Sequence, residues 1–203
     1  RSLATLWQAA KQGRLNPGLS IRDEPRFLWR GLMLDVARHF IPLKTLRETV
    51  DRMSLLKLNV LHLHLSDDQG FRFGSKKYPG VVSEDFYSLQ ELKSLVTYCM
   101  DRGVRLIPEI DLPGHVTHIV ASRPDLAPTG RATDRTQKFG VHRACLDPSN
   151  ENVFIFVREL IEELSDVFPD PFIHLGGDEV DPTWWSGDPR IKDFMKKNRL
   201  SNP

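Results

Sequence analysis

Asp178 and Glu179 stand side by side directly after Gly176 and Gly177. Two acids reached through two glycines invite acid–base chemistry on a substrate that approaches the backbone closely. Glycosidic bond cleavage is one such chemistry. Its ordinary retaining form needs two carboxyl groups about 5 Å apart, one on each side of the scissile bond. Neighbours on extended backbone point in opposing directions, so this couple fits that geometry poorly. It fits better with one acid as proton donor and the other holding a substrate group. The plainer alternative is a helix N-cap with an acidic first turn.

Three further polar groups accompany the acid pair: Asp35, Arg38 and His39; His64, Asp67 and Asp68; Glu109, Asp111 and His115. The planar guanidinium of Arg38 is suited to gripping adjacent hydroxyls, and equally to a salt bridge with Asp35. His62 and His64 share one strand face, since residues two apart do. They would start a metal site if Asp67 or His115 completed it. Otherwise His62, like His174, is an interior hydrogen-bonded histidine. Trp184 and Trp185 follow the acids closely. They are core residues, or present a face on which a pyranose ring stacks, and Trp185 is the sugar-binding candidate.

The elements that must carry these residues alternate. Gly31 to Val36, Val60 to Leu65, Val104 to Ile110 and Phe172 to Leu175 read as strands, with Pro108 expected to mark the end of the third. Between them lie amphipathic helices. The first begins at Pro42 and carries Leu43, Leu46, Val50, Met53 and Leu56. Ser88 and Glu91 form a capping box for the second, whose inward side is Leu89, Leu92, Leu95, Val96 and Cys99, and which Gly103 closes. Asn150 caps the third, with Val153, Val157, Leu160, Leu164 and Val167. A short charged helix from about Pro189 ends the chain. The connection from Asp111 to Asn150 is long enough to be functional. Residues 1–23 do not share the alternation, although Leu6, Ala9 and Ala10 suggest a helix.

Strands separated by helices imply an α/β fold with a parallel sheet and right-handed crossovers. Both an open doubly wound sheet and part of a (β/α)8 barrel satisfy this. Asp35-Val-Ala-Arg38 stands where a dinucleotide fold would place a glycine-rich turn, which argues against that fold. Every polar group named above falls at the carboxyl end of a strand, where parallel α/β folds place their chemistry.

Composition narrows the classes. Of 203 residues, 40% are hydrophobic and 27% charged, a profile that excludes general disorder. Twenty-eight basic against 27 acidic residues leave a net charge of +1, so no whole-chain field points to nucleic acid. The longest aliphatic or aromatic run, Val153 to Val157, is far too short for a membrane span. Cys99 and Cys145 are too few for a disulfide framework, and Cys99 belongs on a buried helix face. The chain opens without Met or an apolar leader, which suggests a start inside a longer precursor.

Arg30-Gly-Leu-Met-Leu-Asp-Val-Ala-Arg-His-Phe40 resembles the opening of the catalytic domain of the β-N-acetylhexosaminidases, glycoside hydrolase family 20. So do Lys57-Leu-Asn-Val-Leu-His-Leu-His-Leu-Ser-Asp-Asp68, Pro108-Glu-Ile-Asp-Leu-Pro-Gly-His115 and His174-Leu-Gly-Gly-Asp-Glu-Val180, in the family's order. The resemblance runs from about Ile21 to Phe194. It implies a (β/α)8 barrel that removes terminal, non-reducing N-acetylhexosamine (gluco or galacto) from β-linked glycoconjugates or chitooligosaccharides. In such enzymes the substrate's own acetamide is the nucleophile. Glu179 then matches the general acid and base, and Asp178 the residue that orients the acetamide. Asp67 and His115 match a relay behind Glu179, and Arg38 matches the residue that binds the sugar's 3- and 4-hydroxyls.

The resemblance implies no metal or other cofactor, and a lysosomal, periplasmic or secreted setting. A barrel of this kind has eight βα units, of which four are legible. The expected organisation is therefore residues 1–23 as a linker or the tail of a preceding domain, and 24–203 as the first half of a barrel. A complementary chain or a second copy would complete it. Two other classes stay open: a remnant that binds N-acetylglucosamine without cleaving it, and a metal-dependent hydrolase built on His62 and His64.

Overall fold

The computed structural model describes residues 2–202. Helix α1 (Ser2–Lys11) precedes strand β1 (Gly31–Asp35), helix α2 (Leu43–Leu55) and strand β2 (Val60–His64). A small hairpin of β3 (Ser66–Asp67) and β4 (Gly70–Phe71) follows, then α3 (Leu89–Asp101) and β5 (Arg105–Glu109). Helices α4 (Thr117–Ser122), α5 (Glu151–Ser165), α6 (Thr183–Gly187) and α7 (Pro189–Lys197) complete the order. The fold is α/β. No helix among the described residues is long and apolar enough to cross a membrane.

Local sequence explains the helix boundaries. Ser88 Oγ accepts from Glu91 N–H at 3.2 Å while Glu91 accepts from Ser88 N–H at 2.9 Å, which satisfies two otherwise orphaned donors at the start of α3. Asn150 Oδ1 accepts from Asn152 N–H at 3.0 Å and caps α5. Pro42 lies one residue earlier than expected: its ψ of 144° makes it the extended N-cap of α2 rather than the first helical residue. Leu46, Val50 and Met53 of α2, Leu92, Leu95, Val96 and Cys99 of α3, and Val153, Phe156, Leu160 and Leu164 of α5 are buried in one core.

The main sheet has the order β1-β2-β5, all parallel. Its register sorts the side chains into rows, because partners at one level share a face. Leu32, Leu61 and Leu106 form one row, and Leu34, Leu63 and Pro108 another. The leucines of these rows join the core with the apolar stripes of α2 and α3. The two helices lie side by side, Arg47 donating to Ser94 Oγ at 2.7 Å. The opposite face carries Met33, His62 and Ile107, and then, at the carboxyl ends, Asp35, His64 and Glu109. Strict alternation thus gives leucines to the helices and histidines to the other side.

Two expectations change. Phe172 to Leu175 form no strand; His174 alone bridges to Glu109. The reason lies in β5. Ile110 N–H donates to His174 and His174 N–H donates to Pro108, at 3.2 and 3.0 Å. The next rung would need an N–H on Pro108, which has none. Pro108 accordingly sits inside β5, opposite Leu63, with its missing donor turned away from β2. The connection from Asp111 to Asn150 contains α4 and a 3-10 turn at Pro124–Leu126. At the amino end α1 is tied down by Gln8, which donates to the Leu55 carbonyl at 2.8 Å.

Candidate functional site

The last polar row of the sheet forms the base of a continuous network. Asp67, from the β3 segment directly after β2, has a fully buried side chain. Its Oδ2 lies 2.8 Å from His64 Nε2 and 2.9 Å from Arg38 Nη2, and its Oδ1 lies 3.3 Å from His115 Nδ1. Arg38 also reaches Asp35 at 2.6 Å, and Asp35 Oδ1 accepts from the N–H groups of Ala37 and Arg38. The bridge to Asp35 and the position beside Asp67 therefore coexist. Beneath this loop the buried guanidinium of Arg72 donates to the carbonyls of Val36, Ala37 and Asp85 at 2.9 to 3.0 Å.

His115 is held from two sides. Its Nδ1 faces Asp67 and, at 3.2 Å, Asp68 Oδ2. Asp68 is itself fixed by the N–H of Thr117 at 3.0 Å and by the Thr117 hydroxyl. The other ring nitrogen, Nε2, is buried and has no hydrogen-bond partner among the described residues. It points towards the acids, 3.5 Å from Glu179 Oε2 and 3.9 Å from Asp178 Oδ2. An orphaned buried donor is rare in a folded protein and asks for an explanation. At 3.5 Å, Glu179 Oε2 stands just beyond ordinary hydrogen-bond length from it.

The acids sit on a tight turn with left-handed backbone at Gly176 (φ 66°), Gly177 (φ 108°) and Glu179 (φ 50°). Glycine is required at 176, where a Cβ would lie 1.7 Å from Asp111 Oδ1. No helix starts at Asp178; the next is α6, beginning at Thr183, so the N-cap reading does not describe this turn. Side chains of Asp178 and Glu179 are 68% and 55% exposed, against 2% for His115. The network therefore runs from a dry interior to an accessible carboxylate pair.

Charge follows contact. Hydrogen bonds to Asp67 and Asp68, against the opposing effect of burial, push His115 up to about 10. Burial works against the charged form of His64, but its bonds to Asp67 and Glu109 still carry it up to about 10. Burial likewise opposes ionisation of Asp67 and Glu109, yet their histidine partners hold both well below the usual carboxylate range. Asp111 goes the other way: burial pushes it up to about 6.

Five of the residues singled out in the sequence (Arg38, Asp67, His115, Asp178 and Glu179) are thus one connected chain. Trp185 stands apart from it. It is half-buried on α6 and its indole N–H donates to the Leu146 carbonyl at 2.8 Å. His62 and His64 are not brought together with Asp67 and His115 as a single ligand set. His62, His64 and His174 instead converge on the Glu109 carboxylate, at 2.6, 2.9 and 3.1 Å. Side chains able to ligate a metal do meet there, as His62, Glu109 and His174, and at Asp35, His64 and Asp67. Sequence reasoning gave no separate role to Asp68, Arg72 or Asp111. The doublet Asp67-Asp68, and a third acid one strand away from a Gly-Gly pair, were the available signals.

Residues 27–203 match the catalytic domain of glycosyl hydrolase family 20. The chain belongs to this family. It is 40% identical over 185 residues to the mouse (Mus musculus) β-hexosaminidase subunit β, covering 88% of this chain and 34% of the relative. The crystal structure of a Flavobacterium johnsoniae chitobiase superposes with a TM-score of 0.85 at 37% identity, over 88% of this chain and 28% of the other. That of a β-N-acetylhexosaminidase gives a TM-score of 0.91 at 36% identity, over 99% and 47%. The family 20 chain spans about a third of the length of the curated relatives it matches.

Proposed function

We propose that the protein containing this chain removes terminal N-acetylhexosamine from β-linked glycoconjugates or chitooligosaccharides, with Glu179 as general acid and base and with substrate assistance. The observation that carries this reading is the buried Nε2 of His115, without a hydrogen-bond partner among the described residues and 3.5 Å from Glu179. Membership of the family supports the chemistry. In the first step the acetamido carbonyl oxygen attacks the anomeric carbon as the glycosidic C–O bond breaks. The Glu179 proton passes to the leaving oxygen, and an oxazolinium forms. In the second, Glu179 takes a proton from water as that water opens the ring at the same carbon, restoring the acetamide and the original configuration.

Asp178 orients the acetamide N–H and stabilises the positive charge that develops there. His115, polarised by Asp67, responds to the changing charge on Glu179. Arg38, held by Asp35 and Asp67, presents its remaining donors to two adjacent sugar hydroxyls. The indole of Trp185, pinned through its N–H, supplies a flat face for the ring.

For the architecture, we propose that residues 1–23 are a linker or the tail of a preceding domain and that 24–203 form the first half of a (β/α)8 barrel. Unreversed strand order with both crossover helices on one face supports the barrel over the doubly wound alternative. So does the open edge at β1, where Met33 is 51% exposed on the histidine-bearing face. Further polypeptide, from the same chain or another copy, would cover it.

The test is turnover of an aryl N-acetyl-β-glucosaminide by the full-length protein. Glu179→Gln should lower kcat by about 10²- to 10⁴-fold, the usual worth of a positioned general acid. Unchanged turnover overturns the assignment.

A further inference from the structure

The turn that carries Asp178 and Glu179 rests on a residue to which the mechanism above gives no part. Asp111 is 2% exposed and its own N–H is fixed by Ser66 Oγ at 3.1 Å. Its Oδ1 accepts from Gly177 N–H at 3.1 Å, and the same oxygen fills the space where a side chain on Gly176 would begin. Backbone bonds tie the preceding segment to the same stretch, Ile110 to His174 and Leu112 to Leu175, at 3.2 and 3.0 Å. Those two bonds stop at Leu175. Past that point the carboxylate of Asp111 is the contact that continues the attachment, immediately before the acids and across a turn whose left-handed geometry is costly for non-glycine residues.

We propose that Asp111 is a positioning residue for Asp178 and Glu179: by accepting from Gly177 and packing under Gly176, it sets the distance of both acids from His115. The proposal rests on the reading of Glu179 as general acid and base. Charged and titratable groups crowd Asp111 from every side: His64 and Asp67 from the β2–β3 region, Glu109 from β5, His115 beyond it, and Asp178 on the turn itself. An amide N–H can also donate to a carboxyl or carboxamide oxygen, although a carboxylate accepts more strongly. An isosteric amide therefore keeps the contact with Gly177 and the packing under Gly176 with a weaker bond, whereas alanine loses both.

The experiment uses the full-length protein and an aryl N-acetyl-β-glucosaminide, with Tm measured for each variant. A displacement of the acids by about 1 Å is enough to cost on the order of 100-fold, so Asp111→Ala should lower kcat by at least about tenfold with KM changed less than about threefold. Asp111→Asn, which keeps the acceptor, should recover kcat to within about fivefold of the parent. If Asp111→Ala does not fold, Gly176→Ala disturbs the same contact from the other side and should give the same loss confined to kcat. An unchanged kcat in the folded Ala variants overturns the proposal. So does an equal loss of kcat and Tm in Asn and Ala, which marks a purely structural role. Glu179→Gln runs alongside: if it keeps full turnover, the acid–base assignment itself fails, whereas an inactive Gln variant beside a fully active Asp111→Ala removes the positioning role alone.

Discussion

His115 presents a buried Nε2 to Glu179 at 3.5 Å while Asp67 and Asp68 compete for its Nδ1 at 3.3 and 3.2 Å. Two acids on one nitrogen leave the imidazole no freedom to turn. The ring is aimed before any substrate arrives, and the accessible carboxylate is what has room to move. Such pre-orientation separates the cost of arranging the site from the reaction itself.

Replacing His115 with Gln in the full-length protein should therefore act on kcat. The expected loss is about 10- to 100-fold with KM nearly unchanged, because a group whose neighbours are Asp67, Asp68 and the acid pair does not itself bind sugar. Steady-state kinetics on an aryl N-acetyl-β-glucosaminide decides it. A rise in KM at constant kcat would mean that His115 contacts substrate instead.

The same residue makes stability depend on pH. Its folded pKa of about 10 lies above the ordinary histidine value, so the stabilisation is fully present below about pH 6.5 and is lost as pH rises towards 10. The Tm difference between parent and His115→Gln should accordingly be largest near pH 6 and shrink steadily in alkali. Thermal melts across that window measure it; a difference that grows with pH contradicts the charged, doubly bonded ring.

Arg72 is 7% exposed and satisfies three backbone carbonyls, two of them directly before Arg38. Lysine cannot reproduce a planar fork. Arg72→Lys should destabilise by about 2–4 kcal/mol, since stranded buried acceptors cost about 1–3 kcal/mol each and some will find new partners. It should also raise KM more than it lowers kcat. Urea midpoints and kinetics of the full-length variant test both; a midpoint equal to the parent's refutes the clamp.

Cys99 and Cys145 are free thiols, 0% and 1% exposed, and burial pushes both up to about 12. Neither should react with a thiol-specific disulfide reagent in the native protein near neutral pH, and both should react once guanidinium unfolds it. Rapid native labelling of either, followed by peptide mapping, would show that the interior opens readily.

Much of this arrangement is legible in the residue order. Leu92, Leu95, Val96 and Cys99 recur at helical spacing and all are buried on α3, and Ser88 with Glu91 form both bonds of the capping box. Periodicity and caps are local, so they survive translation into structure. What escaped reading was set by long-range partners. Pro108 looks like a strand end until β2 supplies its neighbour and the absent N–H is seen to face the other edge. The Ser66–Phe71 hairpin is too short to announce itself, although it delivers Asp67. Arg72 draws no notice in sequence, because the three carbonyls it holds come from two segments that only the fold brings to it. Asp111 is one acid among many in sequence, and only the glycine it touches across the fold distinguishes it.

The two-residue beat of β2 has an evolutionary reading. Deleting a single position inside β2 would hand the leucines beyond the gap to the open side and drive the imidazoles in among greasy helices, ruining stability and the polar network in one stroke. A change of length is therefore ruinous inside the strand and harmless to its faces in the segments beyond its tip, where nothing is inverted.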